Sequence, residues 1–323
     1  MRPPTGTSLT EPNRAALTLT LDELIAQRIA ARNPHSTTHG NSPWAGHFVG
    51  ARHGQGMDFD DLRNYEPGDD VRHIDWKVSA RRGTTHTRLY REEKEHAVTM
   101  VLDLRDTMLT GSIRLRAVHA ACVLARRLWA SVDSGSRVSV GVMDRHGIAF
   151  TERASGDRGA LAGCNLIANR LDDLVNKRDR REQAETFDSL QLVPSIDALI
   201  VSLLGERRRH GALELVGGLD DIHVSTSRSL QLSLRQLRLI APTHVVLVQD
   251  PIERHPLPPG SYTFRTPPGA DQTDFKADAV RRVRLTRQAR QQLHATLTEQ
   301  QNRMLEVCRQ AGVTVEFAQD TDR

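Results

Sequence analysis

The chain has few aromatic side chains and few cysteines. Of its 323 residues only 4% are aromatic, so a core must be built mainly from Leu, Val, Ile and Ala. The three cysteines, Cys122, Cys164 and Cys308, lie far apart and form no CxxC pair. Their odd number and their spacing speak against a disulfide framework and against a zinc knuckle.

Long apolar runs are also missing. The longest apolar stretch, residues 192–204, is shorter than the roughly 20 residues that a helix needs to cross a bilayer. No apolar run follows the arginines of the N-terminus, as a secretory signal would require. The sequence therefore predicts a soluble cytoplasmic protein without a membrane span.

Motifs of common enzymes are missing too. The sequence contains no G-x-x-x-x-G-K-[ST] loop, no H-E-x-x-H pair and no G-x-S-x-G elbow. Four histidines, His35, His39, His47 and His53, are close in sequence but have neither helical spacing nor cysteine partners. This pattern favours solvated histidines over metal ligands.

The net charge of +4 permits weak attraction to nucleic acid but does not require it. Residues 281–290 contain five arginines and no acid. If this segment is helical, Arg284, Arg287 and Arg290 share one side, as in a phosphate-binding stripe. No aromatic residue is interleaved to stack bases, which favours a solvated helix face or a dock for an acidic protein. Nucleic acid is therefore not the predicted partner.

Patterning divides the chain into a short N-terminal part and an α/β part. Residues 1–17 are rich in Pro and Thr, which predicts a disordered tail. A short amphipathic helix is predicted at residues 19–33, with Thr20 or Asp22 near its start, and residues 33–56 are expected to be irregular.

From residue 97 onward, strand and helix patterns alternate. Strands are predicted at 97–104, 137–144, 147–152, 244–250 and 313–317, with a helix at 113–132 and a long helix before the last strand. Residues 155–240 have a helical, charged pattern with breaks at the glycines. The alternation predicts an α/β fold, a mainly parallel sheet with helices on both faces.

The stretch NYEPGDDVRHIDWKVSARRG, residues 64–83, concentrates charged residues around one tryptophan. Pro67 and Gly68 suit the central positions of a type II turn. Asp70 can then cap a helix running from Val71 to Arg82, with Gly83 as its stop. On that helix one face would carry Arg72, Asp75, Trp76 and Ser79. Such a face has the composition of an interaction hot spot; the alternative is a capped helix whose Asp75 pairs with an arginine and whose Trp76 is half buried.

The continuous block from Gly50 to Glu93 resembles the signature of a bacterial family called domain of unknown function 58. The family pattern is F-x-x-L-R-x-Y-x-P-G-D-D-x-R-x-I-D-W-x-x-S-A-R, followed by an acidic pair before a strand. The matching residues are Phe59, Leu62, Arg63, Tyr65, Pro67, Gly68, Asp69, Asp70, Arg72, Ile74, Asp75, Trp76, Ser79, Ala80, Arg81, Glu92 and Glu93. A weaker likeness continues past Asp103 and Asp250, so the resemblance covers most of residues 20–317.

This resemblance implies a fold and a partner. Members of the family are regarded as having a von Willebrand factor A-like core, and are often encoded beside MoxR-type AAA+ ATPases for which they are thought to act as adaptors. The resemblance therefore implies a signature segment at residues 18–95, a von Willebrand A-like domain at residues 96–323, and a MoxR-type AAA+ ATPase as partner.

A von Willebrand A-type domain carries a metal-ion-dependent adhesion site, D-x-S-x-S after its first strand. Carboxylate and hydroxyl oxygens at this motif suit Mg²⁺. Here Asp103 and Thr107 match the motif's ends, and Asp250 follows a later strand, but Arg105 replaces the first serine. A guanidinium can occupy the place of the cation and pair with Asp103 or Asp250, so the site is expected to be degenerate. A further hydroxyl could come from Ser195 or Thr226.

Together these observations favour a non-enzymatic cytoplasmic interaction or adaptor protein. Its expected contact surface is the signature, namely Asp69, Asp70, Arg72, Asp75, Trp76, Ser79 and Arg81. The alternative is a metal-dependent hydrolase or nuclease that uses the clustered aspartates, because clustered carboxylates can hold Mg²⁺ for phosphodiester cleavage. No cofactor besides Mg²⁺ is expected.

Overall fold

The computed structural model describes residues 18–32, 53–91, 97–181, 195–205, 211–219, 227–258, 260–265 and 280–318. The chain divides into two compact units. Residues 41–96 form the first, here called the signature unit, and residues 1–40 with 97–323 form the second, the α/β unit. The predicted disordered tail, residues 1–17, lies outside the described residues. So does most of the predicted irregular segment, but its last residues, from His53, belong to a strand.

The helices are α1 (Leu21–Ala31), α2 (Trp76–Arg82), α3 (Arg116–Asp133), α4 (Gly156–Arg181), α5 (Ile196–Gly205), α6 (Ser227–Ile240), α7 (Pro251–Arg254) and α8 (Arg287–Ala311). The strands are β1 (His53–Asn64), β2 (His86–Arg91), β3 (Ala97–Asp103), β4 (Arg137–Asp144), β5 (Gly147–Phe150), β6 (Ala212–Gly217), β7 (Thr243–Leu247), β8 (Gly260–Arg265), β9 (Val280–Leu285) and β10 (Thr314–Phe317). Two 3₁₀ turns cover Val71–His73 and Asp106–Met108.

A six-stranded sheet organises the α/β unit, in the order β10-β7-β6-β3-β4-β5. Every neighbouring pair is parallel except β4 and β5, which are antiparallel. When only the six strands of this sheet are numbered along the chain, the order is 3-2-1-4-5-6, which is doubly wound and reverses between β3 and β6. The predicted α/β fold with a mainly parallel sheet is confirmed. The carboxyl ends of the parallel neighbours β3 and β6 lie side by side at this reversal, where such folds bind ligands and partners.

Helices cover the two faces of this sheet. On one face α5, α6 and α8 enclose a core that includes Val101, Leu215 and Val245. Neighbouring strand residues point to the opposite face, where Arg127 of α3 bonds to Glu214 of β6.

This buried pair explains why β6 was missed. A glutamate inside a short apolar run weakened the strand pattern, and residues 155–240 were predicted to be helical.

Helix α1 packs on the α/β unit. A capping box at Thr20 starts the predicted helix. Leu24 is fully buried, and the indole Nε1 of Trp129 donates a hydrogen bond to its carbonyl at 3.2 Å. Arg28 lies 4.7 Å over the Trp129 ring and pairs with Asp133 at 2.9 Å. The grouping of residues 18–95 into one segment therefore differs from the observed division, because α1 belongs with α3.

The arginine-rich segment is not a continuous helix. Strand β9 pairs antiparallel with β8 and ends at Leu285, and Thr286 then caps α8. Arg284 is therefore in a strand, whereas Arg287 and Arg290 are in a helix, so the condition for a helical stripe of these three arginines is not met. The β-pattern of V-R-R-V-R-L, with apolar residues between arginines, carries the signal that was overlooked. Across the described ranges, no helix combines the length and the apolar character needed to cross a membrane.

Candidate functional site

The signature loop begins with the predicted type II turn. The Asp69 amide donates to the Glu66 carbonyl at 3.0 Å, and Gly68 has φ +115°, a backbone conformation that favours glycine. The Asp69 carboxylate accepts from Arg63 Nη2 at 2.7 Å and from the Glu66 amide at 3.1 Å. The Asp69 side chain therefore stabilises the turn through hydrogen bonds to residues that precede it.

The predicted helix from Val71 to Arg82 is two separate elements. Asp70 caps only the 3₁₀ turn, and Ile74 is extended and forms a bridge with Thr87. A second cap follows at Asp75, whose Oδ1 accepts from the amides of the second and third residues of α2 at 3.1 Å each. An aspartate stabilises a helix start better than a helix interior, so Asp75 divides the predicted helix. The predicted common face of Arg72, Asp75, Trp76 and Ser79 is accordingly wrong.

Asp75 and Ser79 fix α2 to β2. Asp75 is 9% exposed, and its Oδ2 accepts from Arg88 Nε at 2.9 Å. The backbone hydrogen bond from Val78 and the side-chain hydrogen bond from Arg88 lower the pKa of Asp75. Ser79 Oγ donates to the Asp75 carbonyl at 2.7 Å and accepts from the His86 amide at 2.8 Å. These two side chains therefore hold the helix in place rather than face solvent.

Both carboxylate oxygens of Asp70 likewise accept hydrogen bonds from nearby residues. Arg72 donates from Nε to Oδ1 at 3.1 Å and from Nη2 to Oδ2 at 2.8 Å, and its amide donates to Oδ1 at 3.0 Å. These bonds lower the pKa of Asp70 to about 2. All six carboxylate oxygens of Asp69, Asp70 and Asp75 therefore accept hydrogen bonds from this unit's own donors.

The outer side of α2 differs from the saturated loop behind it. Trp76 is 69% exposed, and Lys77, Ala80 and Arg81 are exposed beside it. The sequence predicted Trp76 and Arg81 as surface residues but did not single out Lys77. Its position next to the tryptophan, four residues before Arg81, is a signal that could have found it.

At the end of β3, Asp103 is paired with Arg105. Both residues are 3% exposed. Arg105 donates from its amide to Asp103 Oδ1 at 3.1 Å, from Nε to Oδ1 at 2.9 Å and from Nη2 to Oδ2 at 2.8 Å. The guanidinium therefore occupies both carboxylate oxygens in a fork geometry.

Two neighbouring features complete this edge of the sheet. A Cβ added at Gly217, the last residue of β6, would lie 2.4 Å from Asp103 Cβ, so only glycine fits there. Asp250 accepts from the Ser112 amide at 2.6 Å, from Ser112 Oγ at 2.5 Å and from the Ile252 amide at 3.0 Å, and caps α7. The role of Ser112 had no sequence signal, because 138 residues separate it from Asp250.

These residues do not fit a divalent cation. Mg²⁺ requires oxygen ligands in near-octahedral geometry, but the oxygens of Asp103 and Asp250 are already used. Thr107 Oγ1 is buried and has no hydrogen-bond partner in the described part of the chain. Ser195 Oγ accepts from the Ala198 amide at 3.3 Å, and Thr226 lies outside the described residues. Within the ranges that the structure describes, no three His, Cys, Asp or Glu side chains are grouped to hold a metal.

Comparison with known proteins gives relatives in mycobacteria. The chain is 25% identical over 253 residues to the uncharacterized protein Mb1516 of Mycobacterium bovis and to the uncharacterized protein Rv1480 of Mycobacterium tuberculosis. The alignments cover 75% of this chain and 66% of each relative, so the chain spans just under two thirds of their length.

Two solved structures match weakly. An aerotolerance-related membrane protein from Bacteroides fragilis matches at 13% identity and a TM-score of 0.35, over 69% of this chain and 92% of that one. An uncharacterized membrane spanning protein from Vibrio fischeri matches at 14% identity and a TM-score of 0.19, over 69% and 91%. Scores this low support no conclusion about fold or function.

A family model covers the signature loop and most of the sheet. The match runs over residues 61–295, which include α2 with its exposed tryptophan and the Asp103–Arg105 pair. The chain belongs to the family described as protein of unknown function DUF58.

Proposed function

We propose that the chain is a non-enzymatic cytoplasmic interaction protein that works as an adaptor for a MoxR-type AAA+ ATPase. The observation that carries the proposal is the exposure of Trp76 on a short helix whose other side is fixed by hydrogen bonds. A large aromatic side chain held out from a rigid support is typical of a binding hot spot. The choice of an AAA+ ATPase as partner rests on the family resemblance of residues 50–93.

The saturation of the aspartates supports a binding role over catalysis. A hydrolase or nuclease that uses Asp69, Asp70 and Asp75 needs carboxylate oxygens that can reach a metal ion. Each of these oxygens instead accepts a hydrogen bond from an arginine or a backbone amide. Opening the cluster for a metal would break the turn, the cap and the contact with β2 together. The metal-dependent alternative is therefore the less supported function.

The α/β unit is proposed to be von Willebrand A-like with a degenerate adhesion site. The 3-2-1-4-5-6 strand order with one antiparallel edge strand supports this assignment. The guanidinium of Arg105 supports the loss of metal binding, because it holds the carboxylate that would be the first metal ligand.

The test is affinity capture from the native host, with bound proteins identified by mass spectrometry. Wild type is compared with Trp76→Ala and with Leu239→Ala, a control that removes an 87% exposed leucine from α6. We expect an AAA+ ATPase with wild type and Leu239→Ala, but not with Trp76→Ala. Capture of no ATPase by any of the three, or metal-dependent nuclease activity that Asp75→Asn abolishes, would contradict the proposal.

A further inference from the structure

The outer side of α2 combines one apolar anchor with two cations. Trp76, Lys77, Ala80 and Arg81 occupy positions i, i+1, i+4 and i+5, which lie on one side of a helix, and all four are exposed. Ser79 and Asp75 are on the inner side, where they bond to β2. We call the four exposed residues the α2 face. Ala80 adds little bulk, so the indole and the two long cationic side chains define its chemistry.

The charge of the α2 face is not neutralised by the aspartates of the signature. Asp69 pairs with Arg63, Asp70 with Arg72, and Asp75 with Arg88. These arginines all lie outside the α2 face. Within the described part of the signature unit, neither cation of that face forms an ion pair. The three aspartates therefore neutralise arginines in β1, in the signature loop and in β2. The positive charge of Lys77 and Arg81 beside the indole of Trp76 remains.

We propose that the α2 face docks onto an acidic surface of the partner ATPase that contains an apolar recess. The inference rests on the adaptor function proposed above and specifies the chemistry of the contact. Trp76 would fill the recess, and burial of a ring of this size is the largest apolar gain that the face can offer. Arg81 suits a bidentate contact with a carboxylate, and Lys77 supplies a second point charge beside it.

An acidic protein fits this face better than nucleic acid does. A phosphate backbone is recognised by a stripe of many cations, whereas the α2 face has two. Charge complementarity therefore favours carboxylates presented by a folded protein surface.

The test measures binding of the purified full chain to the purified AAA+ ATPase of its host by calorimetry at 50 and 500 mM NaCl. We expect Trp76→Ala to weaken binding by about 30-fold or more, with partial rescue by Trp76→Phe. The double variant Lys77→Glu/Arg81→Glu is expected to lose about tenfold or more at 50 mM NaCl and to lose the salt dependence of wild type. The matched control, Arg282→Glu/Arg284→Glu on β9, makes the same change in net charge and is expected to bind like wild type.

The outcomes separate this inference from the function on which it rests. If wild type binds the ATPase and all variants bind it equally well, the α2 face is not the contact surface, but the proposed adaptor function is retained. Absence of wild-type binding would overturn both. If the chain binds a 30-nucleotide single-stranded nucleic acid, and only Lys77→Glu/Arg81→Glu loses that binding, the ligand of the α2 face is nucleic acid and not an acidic protein. Each variant is also unfolded thermally. A curve that matches wild type shows that the loss of binding is not caused by a loss of folding.

Discussion

Replacing Arg105 by Met measures how much the guanidinium at the end of β3 stabilises the fold through its buried pair with Asp103. The change keeps an apolar stem and removes both guanidinium hydrogen bonds to Asp103, which is 3% exposed. Breaking a buried ion pair by removing one member costs about 3–5 kcal/mol, because a buried charge is left uncompensated. That is a large share of the roughly 5–15 kcal/mol by which domains are stable. It corresponds to a fall of roughly 6–20 °C in the melting temperature of a unit of this size.

Urea unfolding followed by circular dichroism measures this cost, with a double variant to separate charge from packing. Asp103→Asn/Arg105→Met removes both charges of the pair and is expected to recover most of the loss. Arg303→Met removes a member of an exposed pair with Glu299 and is expected to cost less than about 0.5 kcal/mol. A loss below about 1 kcal/mol in Arg105→Met, or an equally unstable double variant, would refute the reasoning.

A serine at position 105 would complete the D-x-S-x-[ST] pattern of the adhesion site that is proposed to be degenerate here. Arg105→Ser frees the carboxylate of Asp103 and places a hydroxyl two residues after it, with the hydroxyl of Thr107 two residues further on. We expect 10 mM MgCl₂ to raise the melting temperature of Arg105→Ser, because an ion that binds only the folded chain stabilises it. Wild type is expected to show no shift beyond the effect of NaCl at equal ionic strength. Equal shifts in both proteins would contradict the substitution of guanidinium for metal.

Three further predictions concern packing, pH and reactivity. Gly217→Ala is expected to cost about 1–3 kcal/mol in urea unfolding, whereas Gly205→Ala, where an added Cβ meets open space, serves as the control. Because the folded pKa of Asp70 is depressed to about 2, its contribution to stability is present above pH 4 and is lost toward pH 2; Arg72→Gln should raise this pKa, as NMR titration would show. Burial raises the pKa of Cys164 to about 11, so its thiol should react with a disulfide reagent at pH 8 only after unfolding.

The parts of the fold that the sequence predicted are those with strong apolar patterns. Strands β3 and β4 and helix α3 were found because their apolar runs agree with their burial. Strand β6 was missed because Glu214 interrupts its run, and its partner Arg127 comes from a distant helix. The prediction of one continuous helix at residues 71–82 was wrong at the centre of that range. Asp75 caps the start of a new helix there, because its side chain accepts hydrogen bonds from backbone amides.

The sequence singled out Trp76 and Arg81 of the candidate surface but not Lys77, and it could not separate the roles of the signature residues. The motif singled out Asp75 and Trp76 together, yet one is 9% exposed and fixes the helix while the other is 69% exposed. Pattern alone cannot separate these roles, since burial depends on how α2 lies against β2. At the end of β3, the sequence predicted that Arg105 pairs with Asp103 or Asp250, and the structure shows the pair with Asp103.

Photo-crosslinking at position 76 tests the central claim most directly. Trp76 is replaced by benzoylphenylalanine in the full chain, with the same replacement at the exposed Leu239 as control, and both proteins are irradiated in lysate of the native host. The account predicts a covalent adduct with an AAA+ ATPase from position 76 and none from position 239. Adducts with the ATPase from position 239 alone, or no ATPase adduct at position 76, would contradict a contact through the α2 face.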